Sequence, residues 1–384
     1  MTDRRGFIQL VGGGVLLAAA PALSSCTAGL PDPAAAWTSP GQGALDARLF
    51  ALSHGILAPN PHNRQPWRVR LDGAEGATLF VDRARLLPVT DPFDRQIVIG
   101  CGAFIELCVV AASARGMGVE LEAFPEGGGT DRLDDRPVAR MRFAPGAPLD
   151  PLYPQIVRRR SNKEPYDLAR PLTPAHRAAV LAAPGRSDIR TGLIDAKGLA
   201  PARAIVNGAY VREVETPRAL KESIDLIRIG REEIARHRDG IDIDGPMIGP
   251  LNAVGLLTRK QMVTPGTMAF NQGRDMLAPL VASTPDFVWL ATAGNSRVHQ
   301  LDAGRAWARM ALEATARGVA LHPVSQGLQE YAEVAEFRAR LDTLVGVRSG
   351  ERLQMLARAG YGKPVRPAPR RGLAEHLIHD ATPA

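Results

Sequence analysis

Two short polar motifs contain the residue types that could bind a ligand. The first lies in segment 58–67, APNPHNRQPW, where three prolines restrict the backbone around Asn63 and Gln65. Each side-chain amide offers a donor and an acceptor together, and a stiff loop lowers the entropy cost of ordering them. The motif predicts recognition of a planar heterocycle. The alternative is an ordinary proline-rich turn whose amides cap the local backbone.

The second motif is basic. Residues 158–163, RRRSNK, place three guanidinium groups, a hydroxyl and an ammonium group within six positions. Because arginine forms paired hydrogen bonds with phosphate oxygens and lysine adds a point charge, the motif predicts an oxyanion site. A solvated basic surface is the alternative. Near the end of the chain, Arg370 and Arg371 form a second basic pair that could close on the same phosphate.

Two helical stretches that would position these motifs are alike. Residues 95–116 and 297–318 align without a gap and share six of twenty-two positions, including a final glycine suited to a left-handed helix cap. A strand candidate lies on each side of both stretches, at 77–82, 119–124, 287–291 and 319–324. The pattern predicts two related halves, about 46–150 and 151–384. Extra helical sequence at about 200–280 predicts an insertion in the second half, either a lid or a packing arm.

Together the motifs resemble the FMN-dependent nitroreductase family, and within it the Acg-like branch, in which two nitroreductase-like halves are fused. The resemblance covers roughly residues 46–375. In that family one subunit supplies an Arg-x-Ser-x-Lys motif, matched by 159–163, and the other an Asn-x-Gln-Pro-Trp loop, matched by 59–67. Each half of this chain has only one of the two motifs. The resemblance therefore implies an α+β nitroreductase-like fold, an intramolecular pseudo-dimer with one FMN site, and a monomer.

The resemblance also implies roles for individual residues. Arg159 and Ser161 would bind the FMN phosphate, and Lys163 would lie near the N1/O2 edge of the flavin. Asn63 and Gln65 would meet ribityl or ring groups. A backbone N–H in the run 322–327, from Ser325 or Gln326, would reach flavin N5, although family members often have Glu-Gly there. The implied cofactor-binding residues are Pro59, Asn60, Pro61, Asn63, Gln65, Arg159, Arg160, Ser161, Lys163, Ser325, Gln326, Arg370 and Arg371.

The resemblance implies an oxidoreductase in which the flavin does the chemistry and no protein acid or nucleophile is required. Two electrons would pass from NAD(P)H or another reductant to a nitroaromatic or quinone. A second hypothesis is a non-catalytic, exported FMN store whose insertion forms a lid, because nicotinamide cofactors are scarce outside the cytoplasm. A third is a lipid-anchored binding protein for another phosphorylated ligand, which leaves the Asn-x-Gln-Pro-Trp loop unexplained.

The N-terminus predicts export. Residues 2–8, TDRRGFI, precede an apolar run to residue 22 and then Leu-Ser-Ser-Cys at 23–26. This is the pattern of a twin-arginine signal with a lipobox, so we expect a folded, cofactor-loaded protein in the periplasm or lipid-anchored at the envelope through Cys26. The run of about 15 residues is short for a transmembrane anchor, which needs ~20. Residues 27–45, rich in small residues and proline, predict a flexible tether.

Composition narrows the partners. The chain is 45% hydrophobic and carries a formal net charge of +7, but its basic residues are mostly interspersed with acidic ones, so nucleic acid is not expected as a partner. Cys101 and Cys108 lie seven residues apart on one helix face and predict buried thiols rather than a disulfide. No metal-binding motif is present in the sequence. His376 and His379 are expected on a solvated surface.

Overall fold

The computed structural model describes residues 29–129 and 131–378. The predicted export signal at 1–26 and His379 lie outside the described residues. Sheet A, in the first half, has the order β1-β2-β4-β3, and sheet B, in the second, has the order β5-β8-β10-β9; all pairs in both sheets are antiparallel. The strands are β1 Trp67–Asp72, β2 Gly76–Val81, β3 Met117–Ala123, β4 Ala139–Pro145, β5 Ile189–Leu193, β6 Ile227–Ile229, β7 Ile241–Ile243, β8 Asp286–Thr292, β9 Ala320–Pro323 and β10 Arg352–Gly360.

The helices, like the sheets, correspond between the two halves. In each sheet the second strand leads into a long helix, which is α2 (Arg95–Ser113) in the first half and α11 (Arg297–Ala316) in the second. The chain then returns to the sheet as an edge strand. The α-helices of the described ranges are α1 Ala47–Gly55, α2 Arg95–Ser113, α3 Pro174–Ala182, α4 Leu199–Glu215, α5 Pro217–Asp225, α6 Gly230–His237, α7 Ile248–Ala253, α8 Arg259–Val263, α9 Met268–Asp275, α10 Leu277–Ala282, α11 Arg297–Ala316 and α12 Ala335–Val345. The predicted α+β fold with two related halves is confirmed.

The halves meet where α2 and α11 cross. A Cβ atom on Gly102 would lie 2.0 Å from the carbonyl oxygen of Leu301, and one on Gly304 would lie 2.0 Å from that of Ile99. The two helices therefore touch backbone to backbone at a pair of glycines that the sequence alignment had matched. Gly116 and Gly318 end the two helical stretches at φ values of +67° and +66°, as predicted.

Helix α2 is part of the protein core. By length and composition it could cross a membrane, but 89% of its most apolar stretch is buried inside the protein. Cys101 and Cys108 are both buried, and neither forms a disulfide within the described ranges, as predicted. Burial raises the pKa of the Cys101 thiol to about 12.

The insertion in the second half lies between β5 and β8 and has its own apolar cluster, which includes Leu220, Ile224 and Phe270. It is not wholly helical, because β6 and β7 form a small parallel pair. Their sequences, Ile-Arg-Ile and Ile-Asp-Ile, combine β-branched residues with the two-residue alternation of a strand.

Two terminal segments differ from expectation. From Gly29 onward the predicted tether packs against the protein: Ala35–Trp37 forms a short 3₁₀ helix, and the Trp37 indole is 7% exposed. The prediction of a solvated His376 is wrong, because this residue is fully buried. Its backbone carbonyl accepts from the N–H of Val69 at 2.8 Å, so the C-terminal segment runs beside the edge strand β1.

Candidate functional site

The loop before β1, residues 58–66, which we call the amide loop, has an unusual backbone. His62, Asn63 and Gln65 have φ values of +48°, +50° and +49°, in the left-handed region that non-glycine residues seldom adopt. The side chain of Asn60 holds this conformation: its Oδ1 accepts from the Gln65 N–H at 2.7 Å, and its Nδ2 donates to the carbonyl of Ala58 at 3.1 Å. Strain of this kind persists where the surroundings enforce it, and it is concentrated at functional sites.

The amides of this loop bind the C-terminal segment. Asn63 Nδ2 donates to the carbonyl of Pro369 at 3.0 Å, and its Oδ1 accepts from the Arg370 guanidinium. Gln65 Oε1 accepts from the Arg371 N–H at 2.9 Å, while Gln65 Nε2 donates to the carbonyl of Arg238 at 2.8 Å. The side-chain amides of Asn63 and Gln65 therefore do bind backbone groups, but these groups belong to segments that are distant in sequence. Their contact with a flavin stays a prediction.

Three guanidinium groups surround one indole ring. Arg159, Arg160 and Arg370, which we call the guanidinium cluster, lie 5.8, 4.3 and 5.3 Å from the centroid of Trp37. Arg159 comes from the second half of the chain and donates to the carbonyl of Leu57, in the first half, at 3.0 Å. The structure thus joins the basic motif, the C-terminal pair and the segment that leads into the amide loop.

The positive charges of the cluster lack a carboxylate in direct contact in the described structure, although Asp242 acts on Arg370 from a distance. Among the residues described, no carboxylate forms an ion pair with Arg159, Arg160 or Arg370. Burial, followed by the neighbouring guanidinium groups, lowers the pKa of Arg159 and of Arg370 to about 9 each. The Nε atoms of both side chains are buried and have no hydrogen-bond partner among residues 29–129 and 131–378. Orphaned donors on clustered cations are what an anionic ligand would satisfy.

The rest of the basic motif runs beside β9. Ser161 forms a parallel bridge with Leu321, and the side chains of Ser161 and Lys163 are exposed. The charge of Lys163 contributes, after burial, to a lowered pKa at both His62 and His322, so its ammonium group lies near the amide loop and near β9.

The remaining predicted residues occupy two places. Pro59 and Pro61 flank Asn60 in the amide loop. Ser325 and Gln326 are half-buried just beyond β9, where Ser325 precedes a short 3₁₀ helix, Gln326–Leu328. The described contacts do not join Ser325 or Gln326 to the guanidinium cluster.

The insertion also contacts the amide loop, which the motifs had not indicated. The N–H of Gly240 donates to the carbonyl of Asn63 at 3.1 Å, and Asp239 pairs with Arg85 at 2.7 Å. Ser223 Oγ lies 3.0 Å from His62 Nε2. Sequence reasoning also missed Trp37; the only local signal was a single aromatic residue in a segment of small residues.

The fold and the candidate site together define a class of protein: a chain of two related halves with a cluster of guanidinium groups at their junction. No family model matches the chain. It is 29% identical over 331 residues to a protein of Mycobacterium tuberculosis named "Putative NAD(P)H nitroreductase", covering 84% of this chain and 89% of the relative. It is 24% identical over 297 residues to the "Probable NAD(P)H nitroreductase PigM" of a Serratia species, covering 72% and 79%.

A solved structure gives a more distant comparison. The FMN-dependent nitroreductase NfnB of Mycobacterium smegmatis, in complex with NADPH, matches with 16% identity and a TM-score of 0.37, over 59% of this chain and 96% of that one. Both sequence relatives are named as nitroreductases, and the chain is similar to each of them over most of its length.

Proposed function

We propose that this protein is an FMN-binding oxidoreductase of nitroreductase type, which passes two electrons from NAD(P)H or another reductant to a nitroaromatic or quinone acceptor. The observation that carries the proposal is the guanidinium cluster, with its buried cations, orphaned Nε atoms and lack of carboxylate partners in the described chain. A phosphate group fits this donor set, and the names of the sequence relatives support the reaction class.

Different residues of the chain would have different roles in binding the cofactor and in supporting its reduction. Arg159 and Arg370 would hold the phosphate, and Ser161 would add a hydroxyl donor. Lys163 would place a positive charge beside the amide loop, where it favours negative charge that develops during reduction. FMN, when bound, supplies the hydride chemistry. Since Arg159 and the amide loop come from different halves, one chain would be enough to build the site, and we propose a monomer.

A second function, a non-catalytic FMN store, is favoured by the contacts of the insertion. Asp239 and Gly240 reach Arg85 and Asn63, and Arg366, from the C-terminal segment, pairs with Asp242 at 2.7 Å. These contacts tie the insertion to both segments that approach the guanidinium cluster. Such an arrangement would suit a cover that restricts access to the cofactor.

A visible spectrum before and after anaerobic NADPH tests the two functions. Purified protein loaded with FMN should show flavin absorbance that bleaches when NADPH is added. Flavin absorbance that is unchanged by NADPH but is bleached by dithionite would support the storage function instead. Protein that cannot be loaded with FMN would contradict both.

We further propose export by the twin-arginine route with a lipid on Cys26, supported by the sequence pattern of residues 2–26. The wild-type chain should then sediment with membranes, whereas Cys26→Ala should be found in the soluble exported fraction. A Ser25→Ala control, which keeps the thiol and a small neighbour, should behave as the wild type. Equal distribution of all three chains would contradict lipidation.

A further inference from the structure

A chain of three polar side chains leads from the insertion into the amide loop. Glu213, at the end of α4, is 5% exposed, and its Oε1 lies 3.3 Å from the hydroxyl of Ser223 on α5. That hydroxyl lies 3.0 Å from Nε2 of His62. Both distances are compatible with hydrogen bonds, so the three groups form a continuous path from a buried carboxyl group to the loop beside the guanidinium cluster.

The loop end of this path has a free polar atom. Nδ1 of His62 is buried and has no hydrogen-bond partner in the described structure. Buried polar atoms are nearly always satisfied, so an orphan at the end of a hydrogen-bonded path points to a ligand atom that completes it. The charge of Lys163 contributes, after burial, to the lowered pKa of His62, so the ammonium group of the basic motif lies near this imidazole.

The path has two hydrogen-bonded arrangements that differ by one proton. When Glu213 is protonated, it donates to Ser223, Ser223 donates to His62 Nε2, and Nδ1 of His62 carries a hydrogen. When Glu213 is ionised, the direction reverses: Nε2 donates to Ser223, Ser223 donates to Glu213, and Nδ1 is bare. Changing from the first arrangement to the second releases one proton at Nδ1 and leaves a carboxylate at Glu213.

We propose that Glu213, acting through Ser223 and His62, supplies a proton to the acceptor that is reduced at the flavin site; this inference rests on the proposed function. Reduction of a quinone to a hydroquinone takes up two electrons and two protons. A hydride brings both electrons and one proton. His62 Nδ1 gives the second proton, its bond to hydrogen breaks as the new O–H bond forms, and solvent later reprotonates Glu213. Glu213 and Ser223 are positioning residues here, because only His62 would touch the acceptor.

The environments of Glu213 and His62, at the two ends of the path, are compatible with proton transfer. Burial, the largest influence, and the charge of Glu222 raise the pKa of Glu213 to about 7, against hydrogen bonds from Gln329 and Ser223. Tyr210 and Tyr331 also face this carboxyl group, and burial raises the pKa of each.

At the other end, burial together with the charges of Lys163 and Arg64 lowers the pKa of His62 to about 4. The imidazole therefore stays neutral near neutral pH and passes a proton by changing tautomer.

The pH dependence follows from the sign of the shift at Glu213. The acid form is present below a pH of about 7 and is lost as the pH rises through that value. The rate of acceptor reduction should therefore be level at low pH and fall about tenfold for each further pH unit above 7, as expected for a single general acid.

The test isolates the acceptor step from NADPH. FMN-loaded protein reduced with dithionite is mixed with 1,4-benzoquinone, and the return of flavin absorbance is followed across neutral pH. We expect Glu213→Gln and Ser223→Ala to lower the rate constant at pH 6 about 100-fold and to remove its pH dependence, and Ser223→Thr to restore both. Ser53→Ala, which removes a hydroxyl bonded to a carbonyl within α1, is the matched control and should leave both unchanged.

An infrared pH titration gives a readout besides activity. The wild type should show a protonated carboxyl band that disappears with a midpoint near pH 7, that is missing in Glu213→Gln and that persists in Ser223→Ala. A missing band, or a Ser223→Ala protein with the rate and pH profile of the wild type, would overturn the relay while leaving the proposed function standing. Reduced wild-type protein that does not react with benzoquinone would overturn both.

Discussion

Replacing Arg159 with methionine is expected to weaken FMN binding about 10- to 100-fold. The loss corresponds to one charge-assisted hydrogen bond to phosphate, worth about 1.5–3 kcal/mol. Methionine keeps the length of the apolar stem, so the packing near Trp37 changes little. A titration of the protein with FMN, followed by quenching of flavin fluorescence, gives the dissociation constant directly.

Arg158 provides the matched control. It belongs to the same run of three arginines, but it is exposed, so Arg158→Met should change the affinity less than twofold. Equal effects at the two positions would show that the run acts as a diffuse basic surface, and would contradict a specific site built around Arg159.

Although Arg159→Met should weaken FMN binding, it should not destabilise the protein in the absence of ligand. Arg159 is one of three clustered cations without a carboxylate partner in the described structure, so exchanging it for an apolar side chain should leave the free energy of unfolding unchanged or raise it. Urea unfolding without FMN checks this sign. A loss of several kcal/mol would mean that the hydrogen bond from Arg159 to Leu57 outweighs the repulsion within the cluster.

The second large effect is expected at the helix crossing. Gly102→Ala would place a methyl group 2.0 Å from the carbonyl oxygen of Leu301, and the contact is with backbone, which cannot rotate away. The helices α2 and α11 must then separate, and we expect the free energy of unfolding to fall by about 3 kcal/mol or more. Thermal or urea unfolding measures the change.

The control for this prediction is Gly273→Ala in α9. A Cβ atom there would meet nothing within 4 Å, so the substitution should stabilise the protein by up to about 1 kcal/mol through helix propensity alone. Matching changes at the two glycines would contradict the close backbone contact of α2 with α11.

The central helices could be predicted because their signals are local. Apolar residues recur at helical spacing and Gly116 and Gly318 end both stretches, so the alignment located the helices to within a few residues. That alignment also paired Gly102 with Gly304. Only the structure shows why both positions are glycine, since there the two helix backbones are in contact. A crossing between segments that are distant in sequence has no local pattern.

The site could be predicted in part for the same reason. The basic motif and the amide loop are short patterns, and the structure places both at one junction. Trp37 and His376 could not be placed, because their partners lie far away in sequence: Trp37 donates to the carbonyl of Ala368, and His376 lies beside Trp67. The environment of a residue in a terminal segment depends on the surface against which that segment packs.

The path from Glu213 to His62 had no signal in the sequence. Its three members come from α4, α5 and the amide loop, and neither a serine nor a glutamate in a helix indicates by itself a buried contact. The resemblance to the family had implied that no protein acid was needed, so the path could be found only from the geometry.

The junction of the two halves has a consequence for how the protein behaves on dilution. A site shared by two separate chains is completed only when they associate, so its occupancy depends on protein concentration. Here Arg159 reaches Leu57 within one covalent chain, at an effective concentration that dilution cannot change. In the monomer that we propose, each molecule would keep the binding site complete at any protein concentration, and its occupancy would depend on the ligand concentration alone.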